Sequence, residues 1–369
     1  MDYIYQKVLD LRRNGLIALG ALSLFCAFFF LLASHVTVDD GCDYVVDKKQ
    51  NFIEYKDVGT GSDQFWTDFE ALPYHIEVSM NLLRPQVSST LFAYNATSSN
   101  TTPPINASGV NVPINWSLGF SVGAGYEFFH YDWDFLAKYS FFTTTENGSI
   151  STPLGGAILP ALSLGLLNQT VTSSNSKLGF TWNNLEILLD KKFHFRENLL
   201  LFTSLGLESS WLSYSQKTTY SGGSLLGLQT ATVQRTSHLW GIGPGAGLKT
   251  NWLFSDSLYL KGFTTGAFQY ISQNTYYGET SAVAGYNSLI FKDSQDFVAP
   301  TLALGLGFGY AKYFASDARF IRFEILYEQR TFFRQNQLLN VAPATTPRFT
   351  HAGDDLSLQG FTFKIDFRY

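Results

Sequence analysis

The sequence predicts an all-β fold, an antiparallel transmembrane β-barrel of about 10 to 12 strands with short periplasmic turns and long external loops. Three observations predict it. Apolar and polar residues alternate with a period of two through segment after segment, as strands with two unlike faces require. The alternating segments run to about 13 residues, roughly twice the usual soluble strand, and carry aromatics toward their ends. Short turns also alternate with polar stretches of about 20 to 35 residues, an asymmetry typical of outer-membrane barrels.

Composition agrees with this class. Aromatics make up 16% of the chain and charged residues 15%, against about 25% charged in an average soluble domain. Much of the surface is therefore expected to face something other than water. Mean hydropathy is +0.00, the average expected when lipid-facing and lumen-facing residues alternate. Beyond the N-terminus no apolar run reaches the ~18 residues of a spanning helix. A net charge of −5 argues against nucleic acid as a partner.

The N-terminus reads as an export signal over residues 1–38: Lys7, Arg12 and Arg13 precede the apolar run from Gly15 to Leu32. An uncleaved anchor is the competing reading. Removal of the run, which contains Cys26, leaves Cys42 as the lone cysteine, either free or paired in an intermolecular disulfide. Residues 39–72 are expected to form a periplasmic or plug segment, and residues 73–369 the barrel.

The first strand is placed near Ile76, Val78, Met80 and Leu82, while Leu91 to Tyr94 could be strand or loop. Trp116, Leu118, Phe120, Val122, Ala124, Tyr126 and Phe128 form one face of the next strand. It pairs through a tight turn with Trp133, Phe135, Ala137, Tyr139 and Phe141. The same hairpin unit recurs: Leu185–Phe195 with Leu199–Leu207, Trp240–Trp252 with Leu258–Tyr270, and Val298–Tyr310 with Ile321–Tyr327. The stretches Thr143–Ser176, Ser213–Ser237, Asn274–Asp293 and Gln335–Asp355 are read as external loops. Trp240 and Trp252 lie 12 residues apart on one face. A rise of about 3.3 Å per residue and a tilt near 40° separate them by roughly 30 Å, the thickness of the hydrocarbon core.

In the last strand Phe361, Phe363, Ile365, Phe367 and Tyr369 alternate with Thr362, Lys364, Asp366 and Arg368 up to the final residue. Three segments carry a resemblance: LGFSVGAGYEFFHYDWDFLAKYSFF (Leu118–Phe142), HLWGIGPGAGLKTNW (His238–Trp252) and DDLSLQGFTFKIDFRY (Asp354–Tyr369). Together they resemble the Legionella-type major outer membrane protein family with its chlamydia-related members. The resemblance covers most of the chain after about residue 70. It implies a pore-forming, integral barrel of the bacterial outer membrane, monomeric or oligomeric. It also implies that Phe363, Ile365, Phe367 and Tyr369 serve as a signal to the barrel assembly machinery, with Tyr369 standing where many such barrels end in Phe.

The inward face is where function is expected. Asp132, Asp134 and Lys138 on the early hairpin, Arg322, Glu324, Glu328 and Arg330 on the penultimate strand, and Lys364, Asp366 and Arg368 on the last are candidate pore-lining residues. Charges of both signs can line a watery pore and set ion preference. They can equally neutralise one another and fill a narrow barrel, since open aqueous channels are typical of about 16 strands. Passive diffusion of ions and small hydrophilic solutes is the leading expectation. The alternative is a structural or adhesive barrel whose loops bind host surface molecules.

Other signals are weaker. Gly119-Phe120-Ser121-Val122-Gly123 matches a nucleophile pattern that needs a strand–turn–helix elbow, yet alternation runs straight through it, so no enzyme is expected. The six histidines show no metal-ligand spacing, and no cofactor is expected. Sequons at Asn95, Asn100, Asn106, Asn115, Asn147 and Asn168 suit a secreted glycoprotein, but such a chain would often carry several disulfides. The glycines at 241, 243, 245 and 247 and at 305, 307 and 309 fall on the inward phase, where small residues permit close packing.

Overall fold

Two-residue alternation becomes geometry in the first strand. Tyr74, Ile76, Val78 and Met80 are exposed, while His75, Glu77, Ser79 and Asn81 are buried. Apolar atoms on the outside and polar atoms on the inside invert the arrangement of a soluble sheet. Only a hydrocarbon exterior makes that favourable.

The computed structural model describes residues 74–368, apart from the short segments 88–89, 98–105, 129–131, 167–168, 197, 256, 282, 284–287, 315–318, 337, 343–347 and 352–353. The expected signal, the segment 39–72 with Cys42, and Tyr369 lie outside the described residues. In chain order the strands are β1 (Tyr74–Val87), β2 (Leu91–Ala96), β3 (Ala107–Asn111), β4 (Ser117–Phe128), β5 (Trp133–Ser151), β6 (Ala157–Pro160), β7 (Ser173–Arg196) and β8 (Leu199–Ser221). A single-turn helix, α1 (Gly223–Leu226), precedes β9 (Thr230–Leu253), β10 (Leu258–Ser281), β11 (Leu289–Phe314), β12 (Arg319–Asn336), β13 (Leu339–Ala342), β14 (Arg348–His351) and β15 (Asp354–Arg368).

Ten strands close into an antiparallel barrel in the order β1-β15-β12-β11-β10-β9-β8-β7-β5-β4, with β4 returning to β1. The seam joins the two ends of the described chain, with Ile76 opposite Phe367, Val78 opposite Ile365 and Met80 opposite Phe363. Closure removes the free edges that lipid could not hydrogen-bond. The expected strands are all present.

One expectation changes. Much of the stretches read as external loops is strand. β7 to β11 contain 24, 23, 24, 24 and 26 residues, against 14 in β1, 12 in β4 and 15 in β15. Thus β8 continues to Ser221 and β9 begins at Thr230, leaving a short connection where a long loop was expected. The apolar alternation disappears there because the outer face has left the lipid. The backbone ladder does not depend on it and continues into water.

The low side of the barrel is covered by inserted structure. β2, which occupies the ambiguous stretch from Leu91, forms a three-stranded sheet in the order β3-β2-β6, and β13 pairs with β14 in a separate hairpin. Phe92, Ile158, Leu166, Val171 and Leu338 from these connections are buried with the barrel residues Phe142, Phe180, Trp182, Leu212 and Phe332. An apolar plug therefore fills the upper lumen. A smaller apolar cluster of Leu200, Leu253, Tyr259, Ala311 and Phe320 packs toward the periplasmic end.

Candidate functional site: the charged lumen and the latched plug

Between the two apolar clusters the inward positions are charged, and the charges meet in pairs. Lys364 contacts Glu77, and Arg322 contacts Asp366. Lys261 Nζ lies 2.8 Å from one carboxylate oxygen of Glu324 and 2.9 Å from the other. Tyr259 donates a further bond of 2.7 Å to Glu324, whose side chain is wholly buried. Higher in the lumen Arg330 spans two acids, Glu186 and Glu208, the latter at 2.9 Å, and its guanidinium lies over the Trp182 ring at 5.3 Å. Lower down, Arg368 meets Glu127 and Lys249 meets Asp190, both at 2.5 Å, while His75 Nε2 lies 3.5 Å from Asp134.

The Arg330 pairs tie the barrel across its width, and the others bridge adjacent or next-but-one strands along its wall. Arg330 links β12 to β7 and β8, and Lys261 links β10 to β12. Such pairs hold only when both partners stay in place. A buried charge without its partner costs several kcal/mol.

Two small cavities lie within the lumen. Asn81, Ser121, Lys138, Glu328, Arg330 and Trp182 line one cavity of ≈ 20 Å³. Tyr214, Ser237, Gln335, Asn336 and apolar neighbours line a second of ≈ 20 Å³ within the upper lumen. Each has room for about one water molecule.

Above the apolar plug, one loop is latched to the wall by a carboxylate. Glu279, at the top of β10, is fully buried. It accepts bonds from Leu164 N and Gly165 N, both 3.0 Å, and from the Ser163 hydroxyl. The Tyr277 hydroxyl lies 2.7 Å from Glu279 Oε2 and 2.9 Å from the Leu162 carbonyl. Tyr220 donates to the Phe92 carbonyl at 2.6 Å and accepts from Leu162 N at 3.3 Å, so one side chain holds two different connections. Burial raises the Tyr220 pKa, which keeps its hydroxyl a neutral donor.

The sequence-derived candidates fall almost entirely on the lumen side. Asp134, Lys138, Arg322, Glu324, Glu328, Arg330, Lys364, Asp366 and Arg368 all occupy inward positions of β5, β12 and β15. Asp132 does not belong with them. It sits in the β4–β5 turn with φ 48° and pairs with Lys191 at 3.5 Å at the periplasmic rim, because the strand begins only at Trp133. Phe363 and Ile365 of the expected assembly signal are exposed on the outer face.

Sequence reasoning missed Glu77, Glu127, Glu186, Asp190, Glu208, Lys249 and Lys261, the partners of the residues it found. A signal existed, since each falls on the inward phase of its own strand. Glu279 lies in a stretch taken for loop, and its signal was hidden by that reading. Ser121 lies inside the uninterrupted β4 and accepts a 2.8 Å bond from Asn81. The nucleophile pattern around it forms no elbow. Among the described residues no cluster of His, Cys, Asp and Glu is arranged to hold a metal ion.

The family described as Legionella pneumophila major outer membrane protein precursor matches residues 69–369, the whole barrel. The chain belongs to that family. Membership establishes an integral outer-membrane β-barrel and agrees with the resemblance carried by the three segments. No curated protein matches the chain.

Among solved structures, the outer membrane protease OmpT of Escherichia coli is 10% identical with a TM-score of 0.41, over 80% of this chain and 96% of that one. The attachment invasion locus protein Ail of Yersinia pestis is 9% identical with a TM-score of 0.26, over 81% and 99%. The outer membrane protein OprG of Pseudomonas aeruginosa is 8% identical with a TM-score of 0.27, over 79% and 96%. Scores this low carry no argument about what this member of the major outer membrane protein family does.

Proposed function

We propose that this outer-membrane barrel rests in a closed state and acts as a surface protein, anchoring and presenting its external connections to partners such as host surface molecules. The observation that carries this reading is the filled lumen. The apolar plug around Phe92, Ile158, Leu166, Trp182 and Phe332 lies above a belt of ion pairs, and two cavities among the described residues there measure ≈ 20 Å³ each. A hydrated ion crossing such a lumen would have to part Arg330 from Glu186 and Glu208, or Lys261 from Glu324. No catalytic role is assigned to any of these groups.

A second reading, passive diffusion of ions and small hydrophilic solutes, is favoured by the chemistry of the same belt. A permanent plug can be built from well-packed apolar residues at equal or lower free energy than from buried ion pairs. On this reading the latch of Glu279 on residues Ser163 to Gly165 is the gate, and withdrawal of that loop opens the mouth.

Planar-bilayer conductance of the refolded protein decides between them, with heat-shifted gel mobility as proof of folding. The closed reading expects silence from the native barrel and from Glu279→Gln alike. Discrete steps in the native protein would overturn it. Steps confined to Glu279→Gln would establish the gated pore.

A further inference from the structure

Above the membrane girdle, the outward faces of β5 and β7 to β11 form a wall with one dominant sign of charge. The girdle is marked by Tyr139, Trp211, Trp240 and Tyr270, all exposed on the outer face. Registers place the next outward residues upward in rows. Thr181, Ser213, His238 and Asn274 form the first, Gly179, Ser215, Thr236, Tyr276 and Lys292 the second, and Lys177, Lys217, Gln234 and Gly278 the third. Asp296 is the one acid on these upper outward positions among the described residues, and it lies level with the girdle, hydrogen-bonded to Tyr270. A chain of net charge −5 thus gathers Lys177, Lys217 and Lys292 on one exposed surface, with His238 beneath them.

Lys177 and Lys217 stand directly opposite one another on neighbouring strands. Like charges in that relation repel and destabilise the pair unless an anion lies between them. Between the lysines the wall offers Ser215, Thr236 and Gln234, which hydrogen-bond to sugars and phosphates, and the Tyr276 ring beside Lys292, against which a sugar face can pack. Height selects the ligand. Lys217 is six residues above Trp211, or roughly 15 Å along the normal at ~3.3 Å per residue and ~40° tilt. A simple phospholipid headgroup layer extends only about 5 to 8 Å beyond the hydrocarbon. A phosphate held level with these lysines is therefore carried on a headgroup taller than that of a phospholipid.

We propose that the β7–β11 wall binds the phosphorylated sugar headgroup of an outer-leaflet glycolipid, with Lys177 and Lys217 clamping one phosphate and Lys292 meeting a second. The site is independent of the lumen and of whether the barrel conducts.

The test uses the refolded full chain and its Lys177→Gln/Lys217→Gln and Lys292→Gln variants, each checked for heat-modifiable mobility. Purified lipopolysaccharide, the same glycolipid after dephosphorylation, and phosphatidylglycerol are added, and binding is followed by co-sedimentation and by the shift in the thermal unfolding midpoint. Tight, salt-sensitive binding of the phosphorylated glycolipid is expected, weakened about tenfold or more in the double variant and in dephosphorylated lipid. Lys292→Gln should weaken it by a smaller factor. Unchanged binding in the double variant would overturn the assignment, as would equal binding of phosphatidylglycerol, which would reduce the wall to a general attraction for lipid phosphate.

Discussion

Arg330 is the residue on which the lumen turns, because among the described residues it is the one cation in salt-bridge contact with both Glu186 and Glu208. Replacing it with Met keeps much of its contact with Trp182 but strands two buried acids. A loss of about 3–5 kcal/mol is expected, read as a fall in the urea midpoint of the folded, heat-modifiable form. Restoring neutrality with Glu186→Gln and Glu208→Gln in the same chain should recover most of it. Recovery separates lost pairing from lost packing. Tyr220 plays the corresponding part above the plug. Tyr220→Phe leaves the Phe92 carbonyl and the Leu162 amide without this partner, and about 1–3 kcal/mol should be lost. The loop near Leu162 should then be cut faster by external protease while the barrel stays intact.

At the scale of elements, inward glycines let bulky neighbours lie flat against the wall. A Cβ at Gly305 would sit 2.1 Å from the Phe263 ring, and one at Gly309 would sit 2.0 Å from the Tyr259 ring. Tyr259 bonds Glu324, so Gly309 is joined to the ion-pair belt through packing alone. Gly309→Val should displace Tyr259 and lower the unfolding midpoint, whereas Val at the outward neighbour Phe308 should change it far less. Similar midpoints for the two variants would contradict this account of the glycine rows. β15 supplies a second prediction. Phe363 and Ile365 face outward opposite Met80 and Val78 across the closing seam. Phe363→Ser with Ile365→Ser should reduce the amount of heat-modifiable barrel recovered in outer membranes, since both apolar contact and the expected assembly signal are weakened.

For the whole molecule, the tall wall of β7 to β11 and the low side at β1, β4 and β15 make an asymmetric vessel. The connections carrying β2, β3 and β6 fold over its low side, and their apolar residues enter the lumen as the plug. Glu279 on the tall wall holds Leu164 and Gly165 in place. Deleting residues 157–166 should uncover the upper lumen without breaking the barrel ladder, because β5 pairs with β7 along its whole length, from Trp133 to Ser151, without it. The shortened protein is expected to remain heat-modifiable and to bind small apolar fluorophores that the native protein excludes. Failure to bind them would mean that β2 and its neighbours seal the lumen alone.

The sequence by itself determined the class, the strand positions and the direction in which nearly every side chain points. Those properties follow from local alternation, since a strand residue faces either lipid or lumen and each side selects its own chemistry. Asp132 was misplaced and the tall wall was read as loops for the same reason: in the turn and above the lipid, the alternation that carries the signal stops. Only the tertiary structure decided that the charges are paired rather than bathed in water, and that the upper lumen is plugged. Arg330 meets Glu186 and Glu208 across separations of 144 and 122 residues, and Glu279 meets Gly165 across 114. No local pattern encodes such meetings. They are set by the closure of ten strands, which fixes the width across which opposite walls can touch.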